Sequence, residues 1–557
     1  MRIRSAIAGI VGIVVALGVT ELVHGLYSGV PSVVVSLAQA IAELTPGGIV
    51  TRGIELLGTA DIPVLIGTVI VGAAAICALL AILAVKRPAL ALFGVAVLMA
   101  LALAASFAAE PFIAPVAAVV SVVVGLLIGT LATELLLRSA GLRDTRAAQR
   151  ETGAPEAGPP PSPIVRSREA GPGKAVTVNR GGFVALAGGA TVAALAALGV
   201  GRALASGAAQ AAKPKKLDLR SGSAGKQRQG DGENSGGGRK PAQHETLPPP
   251  PEDASIDAPG MPKLITPAAN FYLIDAALSS PRVDVNTWKL SVKGAVENPV
   301  SFSYKDLLDM PTRESDVTLS CVSNPVGGGL VSNGRWTGVL LSDVLKEAGV
   351  SRENISRASE QLVARSVDGW TGGFKTELAL DGRDALVAFG LNGSELPVKH
   401  GYPVRLVVPG IYGYVSATKW LTDIELTDWN FDAYWIQRTW AKEGPVKTQS
   451  RIDTVEDGQQ LKPGKVPVGG VAWAPHRGID KVEVSTDNGE SWNEARLASQ
   501  LDPDTWRQYL YEWDAKPGQY TLQVRATDGT GQTQPQKTAP PHPSGADGYH
   551  TMDVTVA

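Results

Sequence analysis

The chain has 557 residues, 45% of them hydrophobic, and a formal net charge of −2 from 51 Lys and Arg against 53 Asp and Glu. That length exceeds what one hydrophobic core organises and calls for three or four units, at roughly 100–200 residues each. With no domain-wide basic face there is no electrostatic case for nucleic acid, and two cysteines, Cys77 in an apolar run and Cys321 far beyond it, exclude a disulfide scaffold.

Residues 1–140 are dominated by Ala, Val, Leu, Ile and Gly, with little charge. A helix crossing a hydrocarbon layer of about 30 Å needs about 20 apolar residues. Five stretches qualify: Ser5 to Leu26, Ile62 to Val85, Ala89 to Phe107, Ile113 to Leu137 and Phe183 to Val200. Lys86-Arg87-Pro88 and Glu110-Pro111 interrupt them as loops. A cleavable signal peptide is the alternative for the first, and the three spans that follow count against it. Arg2, Arg4, Lys86, Arg87, Arg138, Arg143, Arg146 and Arg150 fall on one side if the helices alternate. The positive-inside tendency makes that side the cytoplasm, so the chain is multi-pass in the plasma membrane with everything after about residue 204 extracytoplasmic. Pro31 to Leu57 is expected as an outward loop with an interfacial helix. His24 is the single histidine here, so bis-histidine haem ligation has no partner residue, and the helices are expected to anchor the chain in lipid or dock a partner. Gly188-Gly189 in the fifth span suits close helix packing.

The organisation expected is four transmembrane helices in 1–140, a cytoplasmic linker over 141–180 with a Pro-rich Thr152 to Gly173, and the fifth helix in 181–204. A disordered extracytoplasmic linker of 205–258 follows. Its Lys213 to Ala258 part, with Gly236-Gly237-Gly238 and then Pro248 to Pro251, reads as a flexible and then stiffer tether.

Residues 259–445 alternate apolar and polar positions between turn residues, an α+β pattern. Trp288 to Lys293 reads as a strand closed by Asn298-Pro299, and Tyr304 to Asp309 and Leu340 to Ala348 as short helices. Leu319-Ser-Cys321 is a strand end that runs into Pro325-Val-Gly-Gly-Gly329. A thiolate there suits a soft, high-valent metal; the bland alternative is a buried small hydrophobe. Val404, Leu406 and Val408 mark a strand that leaves Arg405 on its other face, ended by Pro409-Gly410. His400, Arg405 and Lys419 would converge as donors to an anion such as a phosphate; the alternative is a salt-bridged surface. Asn392 to Pro397 is a turn. His400 is the one histidine of this region and no HExxH or CxxC occurs, which excludes a zinc hydrolase.

From about Asn270 to Trp440 the chain resembles the sulfite-oxidase family of molybdopterin enzymes. The residues that carry this are Cys321-x-x-Asn324, Trp336-x-Gly338 with Asp343-Val-Leu, Asn392-Gly with Leu396-Pro, and His400-Gly-x-Pro-Val-Arg405 through Lys419-Trp420-Leu. The resemblance implies a molybdenum-molybdopterin cofactor, with Cys321 as the metal's protein ligand and His400, Arg405 and Lys419 holding the pterin phosphate. Asn270 and Phe271 occupy the place of a segment that touches the pterin, and Asp368 and Ser416 are counted with the cofactor-binding set. Trp370, in Asp368-Gly-Trp370, stands where the family has an aromatic hydroxyl near the metal, and is placed with Cys321 and Arg335 in the catalytic set. Sulfite oxidases continue from the cysteine motif into anion-holding arginines, whereas Asn324 here is followed by Pro325-Val326-Gly327. Arg335 would substitute in part, its alternative being a surface charge.

Residues 446–557 read as an all-β, immunoglobulin-like sandwich: Lys481 to Ser485 alternates, Asp487-Asn488-Gly489 marks a hairpin, and Trp492 would return into the core. Tyr509 to Trp513, Tyr520 to Ala526 and Thr551 to Val556 supply further strands. With Val471-Ala-Trp473 and Arg525-Ala-Thr-Asp528-Gly, this stretch resembles the dimerisation domain that follows the catalytic domain in the same family. It would form a homodimer or pack on its own catalytic domain. The resemblance implies an oxidoreductase performing two-electron oxygen-atom transfer on a sulfoxide or related S- or N-oxide, small or protein-bound. No haem or flavin motif occurs, so a membrane electron-transfer partner is expected. Sulfite-type oxidation and a metal-free, tethered binding module are the alternatives. Arg180-Gly-Gly-Phe183 resembles a twin-arginine export signal with one arginine replaced.

Overall fold

The computed structural model describes residues 1–27, 30–45, 60–109, 115–142, 180–211, 216–217, 244–281 and 283–557, with positions 49, 53 and 57. The Pro-rich stretch of 152–173 and most of 213–243 lie outside the described residues. Two compact units result, an apolar helical one up to residue 211 and a second that contains everything from residue 212 on.

The helical unit comprises α1 (Arg2–Leu26), α2 (Val33–Leu44), α3 (Asp61–Ala84), α4 (Pro88–Ala109), α5 (Pro115–Ser139) and α6 (Arg180–Ala211). Five of these are long and apolar enough to cross a membrane, and α2 is a shorter apolar helix within the stretch read as interfacial. Helix α1 is central and packs on α3, α5 and α6. Small residues make the close approach possible: a Cβ added to Gly12 would lie 2.7 Å from the Gly129 carbonyl, and one on Gly18 would lie 2.6 Å from that of Ala194. Gly188 and Gly189 do not serve this purpose, since a Cβ on either would meet nothing within 4 Å. Within this unit the buried Glu21 carboxylate accepts the Ser32 hydroxyl at 2.5 Å, and Ser32 also caps α2 through the Val35 N–H.

The second unit opens with β1 (His244–Glu245), β2 (Lys289–Gly294), β3 (Val300–Ser303), β4 (Thr312–Ser320), β5 (Val331–Leu340), β6 (Gln361–Ser366) and β7 (Thr371–Lys375). It continues through β8 (Leu386–Leu391), β9 (Ser394–Glu395), β10 (Arg405–Val407) and β11 (Leu421–Thr427). One sheet runs β1-β4-β5-β8-β10 and the other β3-β2-β11-β6-β7. Their facing apolar residues, among them Leu290, Val292, Val339, Leu362, Phe389 and Leu406, form one buried core. Helices α7 (Tyr304–Leu308) and α8 (Leu341–Glu347) close its flank; Ser303 and Asp306 form a capping box on α7, and Leu341, Val344 and Leu345 are buried along α8.

The expected tether ends earlier than composition suggests. Strand β1 pairs in parallel with β4, the Leu247 N–H donates to Glu314 Oε2 at 2.9 Å, and Arg335 Nη1 donates to the Pro248 carbonyl at 2.8 Å. Ala254 and Ile256 are buried, so residues 244–258 are docked chain; the carbonyls of Leu247 and Pro248 are satisfied by the Arg335 side chain.

Strands β12 (Gln449–Ile452), β13 (Gln460–Leu461), β14 (Gly464–Trp473), β15 (Ile479–Ser485) and β16 (Asn493–Glu494) begin the C-terminal sandwich. Strands β17 (Arg496–Leu497), β18 (Arg507–Ala515), β19 (Gly518–Asp528) and β20 (His550–Val556) complete it. Its sheets run β12-β14-β18-β17 and β13-β20-β19-β15-β16. Asn488 and Gly489 take the positive φ of a hairpin turn, 60° and 87°. Trp492 does not return to the core: it lies on the outer face under the Arg525 guanidinium at 4.1 Å, edge-on to Tyr549. A cation–π site offers the indole an alternative to burial. The sandwich packs on its own catalytic domain, where Trp506 Nε1 donates to the Leu264 carbonyl at 2.8 Å and Val471, Trp473 and Trp506 join the catalytic core.

Candidate active site

Strand β4 delivers Cys321 at its end, and the chain then folds back on itself. The Cys321 N–H donates to the Leu330 carbonyl at 2.9 Å, the Asn324 N–H to the Cys321 carbonyl at 3.1 Å, and Asn324 Oδ1 accepts the Leu330 N–H at 2.8 Å. This closed loop presents a thiol only 9% exposed, 2.9 Å from the Ser323 hydroxyl. Burial raises the thiol's pKa, with the Ser323 contact and the charge of Lys419 opposing.

The second half of the site comes from the His400 to Lys419 stretch. Gly401 has φ 111°, and a Cβ there would lie 3.1 Å from the Cβ atoms of both Arg405 and Lys419, so glycine lets the two cationic residues gather. Arg405 sits on β10 opposite Leu406, yet it is buried, because that face of the strand meets a second core with Trp336 and Phe271. Its guanidinium donates to the carbonyls of His400 at 3.2 Å and Ala417 at 3.3 Å. Burial lowers its pKa to about 10. Lys419 pairs with Asp275 and donates to the Lys399 carbonyl at 3.3 Å; burial lowers its pKa to about 8.

His400 differs from expectation. Its Nε2 is 2.9 Å from the Ala268 carbonyl, which only a donor satisfies, and burial and then Arg405 depress its pKa to about 3. The ring is therefore neutral, packed edge-on to Phe271 at 5.7 Å, so charge for an anion comes from Arg405 and Lys419. Asn270 is exposed on the same segment, and Phe271 is buried edge-on to Trp336. Asp368 acts electrostatically on Lys419 and Asp275, which joins it to the cationic cluster. Trp370 is half-buried and lies over Gly372, beside the Val415 carbonyl in helix α9 (Gly413–Ser416). Ser416 Oγ donates to the Tyr412 carbonyl at 3.0 Å, which fixes that turn. The buried hydroxyl of Thr418, two residues on, has no hydrogen-bond partner among the described residues.

Arg335 is not brought to Cys321. It forms a two-point ion pair with Asp316, directly across β4–β5, at 2.9 and 2.7 Å, and reaches the Leu247 and Pro248 carbonyls. Three groups of the site escape sequence analysis, two that feel the charge of Cys321 and one that faces Lys419. The Tyr272 hydroxyl would be 3.6 Å from a Cβ on Gly413, itself 3.9 Å from the Ser320 carbonyl. Burial raises its pKa first, then the charge of Cys321, with Arg405 opposing. Tyr412, pushed up to about 12 by burial, also feels Cys321, and Asp275 faces Lys419. Tyr272 adjoins Asn270-Phe271 and Tyr412 lies inside the Arg405 to Lys419 motif, so proximity to those motifs was the available signal.

The residues fit an anionic, metal-bearing guest. Arg405 is buried against carbonyl oxygens and an indole ring, Lys419 stands beside it, and the orphaned Thr418 hydroxyl lies between them in sequence. A buried guanidinium bonded to neutral acceptors leaves charge to be compensated.

Comparison with known proteins gives the class. Residues 277–435 match the family described as oxidoreductase molybdopterin binding domain, and residues 442–540 that described as Mo-co oxidoreductase dimerisation domain. A sulfite oxidase of Arabidopsis thaliana is 28% identical over 344 residues, covering 52% of this chain and 85% of that protein. A mitochondrial sulfite oxidase of Rattus norvegicus is 30% identical over 319 residues, 50% of this chain and 58% of that one. Among solved structures, the sulfane dehydrogenase SoxCD from Paracoccus pantotrophus aligns with TM-score 0.46 and 24% identity over 56% of this chain and 88% of its own. The second unit is thus a molybdopterin-binding oxidoreductase domain followed by its dimerisation-type domain. It is similar to the sulfite oxidases over about half of this chain, and a molybdopterin-binding domain implies a molybdenum-molybdopterin cofactor.

Proposed function

We propose that the chain is a membrane-anchored, extracytoplasmic enzyme that performs two-electron oxygen-atom transfer on a neutral S- or N-oxide, a sulfoxide in the first instance. Bound molybdenum would supply the two-electron chemistry, and the protein would orient the reactants. Cys321 would be its protein ligand, and Arg405, Lys419 and Thr418 would hold the pterin phosphate.

The observation that carries the substrate reading is the commitment of the cations. Arg335 is held by Asp316, and Arg405 and Lys419 are the donors that the pterin phosphate would take up. A small dianion needs several uncommitted donors, whereas a neutral oxide needs one hydroxyl and an apolar surface. Tyr272 and Tyr412 supply hydroxyls that burial keeps protonated. Beside Tyr272, Leu273 and Ile274 are 44% and 45% exposed, the exposed large hydrophobics among the described residues from 244 on. Sulfite oxidation is the second reading, supported by the names of the relatives.

The five apolar helices and their cationic loops support the anchor and topology, an electron-transfer partner in the membrane would complete the cycle, and the dimerisation-type domain is consistent with a homodimer. The test is molybdenum and pterin content of the purified chain beside Cys321→Ser, followed by turnover on dimethyl sulfoxide, trimethylamine N-oxide and sulfite. Near-stoichiometric metal with oxide turnover is expected. Sulfite turnover alone would overturn the substrate reading, and folded, cofactor-competent protein without metal would favour a binding module.

A further inference from the structure

We propose that Arg451 and His550, both in the C-terminal sandwich, are positioning residues for the catalytic loop that follows Cys321. Arg451 Nη1 donates to the Gly328 carbonyl at 2.8 Å while its Nε donates to Asp453 Oδ1 at 2.7 Å, so the guanidinium is oriented from behind and aimed at the loop. His550, on β20, accepts the Ile452 N–H at Nδ1, 3.0 Å away. The opposite edge of the imidazole is thereby turned onto Gly327, where any Cβ would overlap Cδ2 and Nε2. The ring fills the volume that a side chain at position 327 would take.

These two contacts reach the thiol through few intermediates. A Cβ on Gly328 would lie 2.5 Å from Asn324 Oδ1, the same oxygen that accepts the Leu330 N–H at 2.8 Å; the Leu330 carbonyl in turn accepts the Cys321 N–H at 2.9 Å. The sandwich also braces the other wall. Lys447 holds the Gly545 carbonyl and Asp547 at 2.7 Å each, and a Cβ on Gly545 would be 2.6 Å from the hydroxyl of Tyr412, which feels the charge of Cys321. Between the walls lies an open cleft lined by Pro325, Val326, Pro540, Pro541 and Asp547, so the sandwich borders the approach to the loop. Preorganisation of a catalytic loop depends on such supporting contacts, and a displacement of about 1 Å costs substantial rate.

The kinetic arm of the test rests on the oxide-transferase reading; the exchange arm does not. Full-length, cofactor-loaded protein in detergent is compared with Arg451→Met and with His550→Asn, whose amide oxygen replaces Nδ1 as acceptor for Ile452 while the ring edge is removed. Amide hydrogen exchange of the 321–330 peptide is expected to quicken at least about fivefold, with β4 and the remainder of the sandwich unchanged. On dimethyl sulfoxide, kcat is expected to fall about fivefold with KM within about twofold. Wild-type exchange in this peptide in both variants would overturn the proposal, as would uniform quickening throughout the sandwich, which marks plain domain packing. Locally faster exchange in a protein that turns over no oxide sustains the positioning role and removes the substrate reading instead. Should Arg451→Met not fold, His550→Asn decides alone.

Discussion

The guanidinium of Arg405 stands 5.0 Å from the ring centre of Trp336, on the face of β10 turned away from the main core. That stacking, with the charge of Asp275 acting on it, lets a cation live in the interior without a carboxylate hydrogen-bonded to it among the described residues, and it keeps the donor for a guest.

Arg405→Met is therefore expected to lower molybdenum and pterin content at least tenfold. Its melting temperature should stay within a few degrees of wild type, because exchanging a desolvated charge for an apolar side chain of similar length is near neutral. Metal analysis beside a thermal melt checks this, and a metal-replete variant contradicts it.

Arg335 predicts the reverse pattern. Arg335→Met leaves Asp316 buried without its ion-pair partner, which costs about 3–5 kcal/mol and releases the 247–248 segment, with substrate KM unchanged. A KM increase without destabilisation, in denaturant titration and steady-state kinetics, would return Arg335 to the catalytic set.

Lys419 sets a pH limit on cofactor retention. Its folded pKa of about 8 lies below the ordinary 10.5, so the ammonium is lost as pH rises through about 8. Between about 8 and 10.5 the unfolded chain binds more protons, so the cofactor-free protein gains stability with pH while its grip on an anion weakens. Pterin release should be faster at pH 9.5 than at pH 7, and Lys419→Gln should remove most of that dependence.

His550 acts at acid pH. Burial and then Arg451 depress its pKa from 6.5 to about 4, so the unfolded chain binds more protons between these values and stability falls as pH drops through that window. The loss is on the order of 3 kcal/mol. His550→Asn should flatten the melting curve over pH 4–6.5; an unchanged slope would show that other groups govern it.

The apolar spans, the strand ending in Cys321 and the strands of the sandwich were legible because a long apolar run and a period of two are local signals. What stayed hidden depends on register. Arg335 faces Asp316 only because β4 and β5 pair as they do, and nothing in the sequence reveals that the pair is spent. His400 reads as a donor to an anion, and nothing in the sequence shows that its Nε2 meets the Ala268 carbonyl, an atom every residue has. Trp492 looks like core by composition and is retained at the surface by Arg525, distant in sequence. Tyr272 and Thr418 become site residues through the turns that carry them, and the chain at Leu247 and Pro248 docks through carbonyls that composition does not display.

The imidazole that occupies the space beside Gly327 belongs to the last strand, roughly 230 residues after Cys321 in the chain. At about 5–20 residues per second, synthesis leaves more than ten seconds in which the loop around the thiol exists without its counterpart. A nascent catalytic domain is thus open beside Gly327 and a finished one is braced, which gives assembly a direction: the loop around the thiol takes its last support only when the final strand docks.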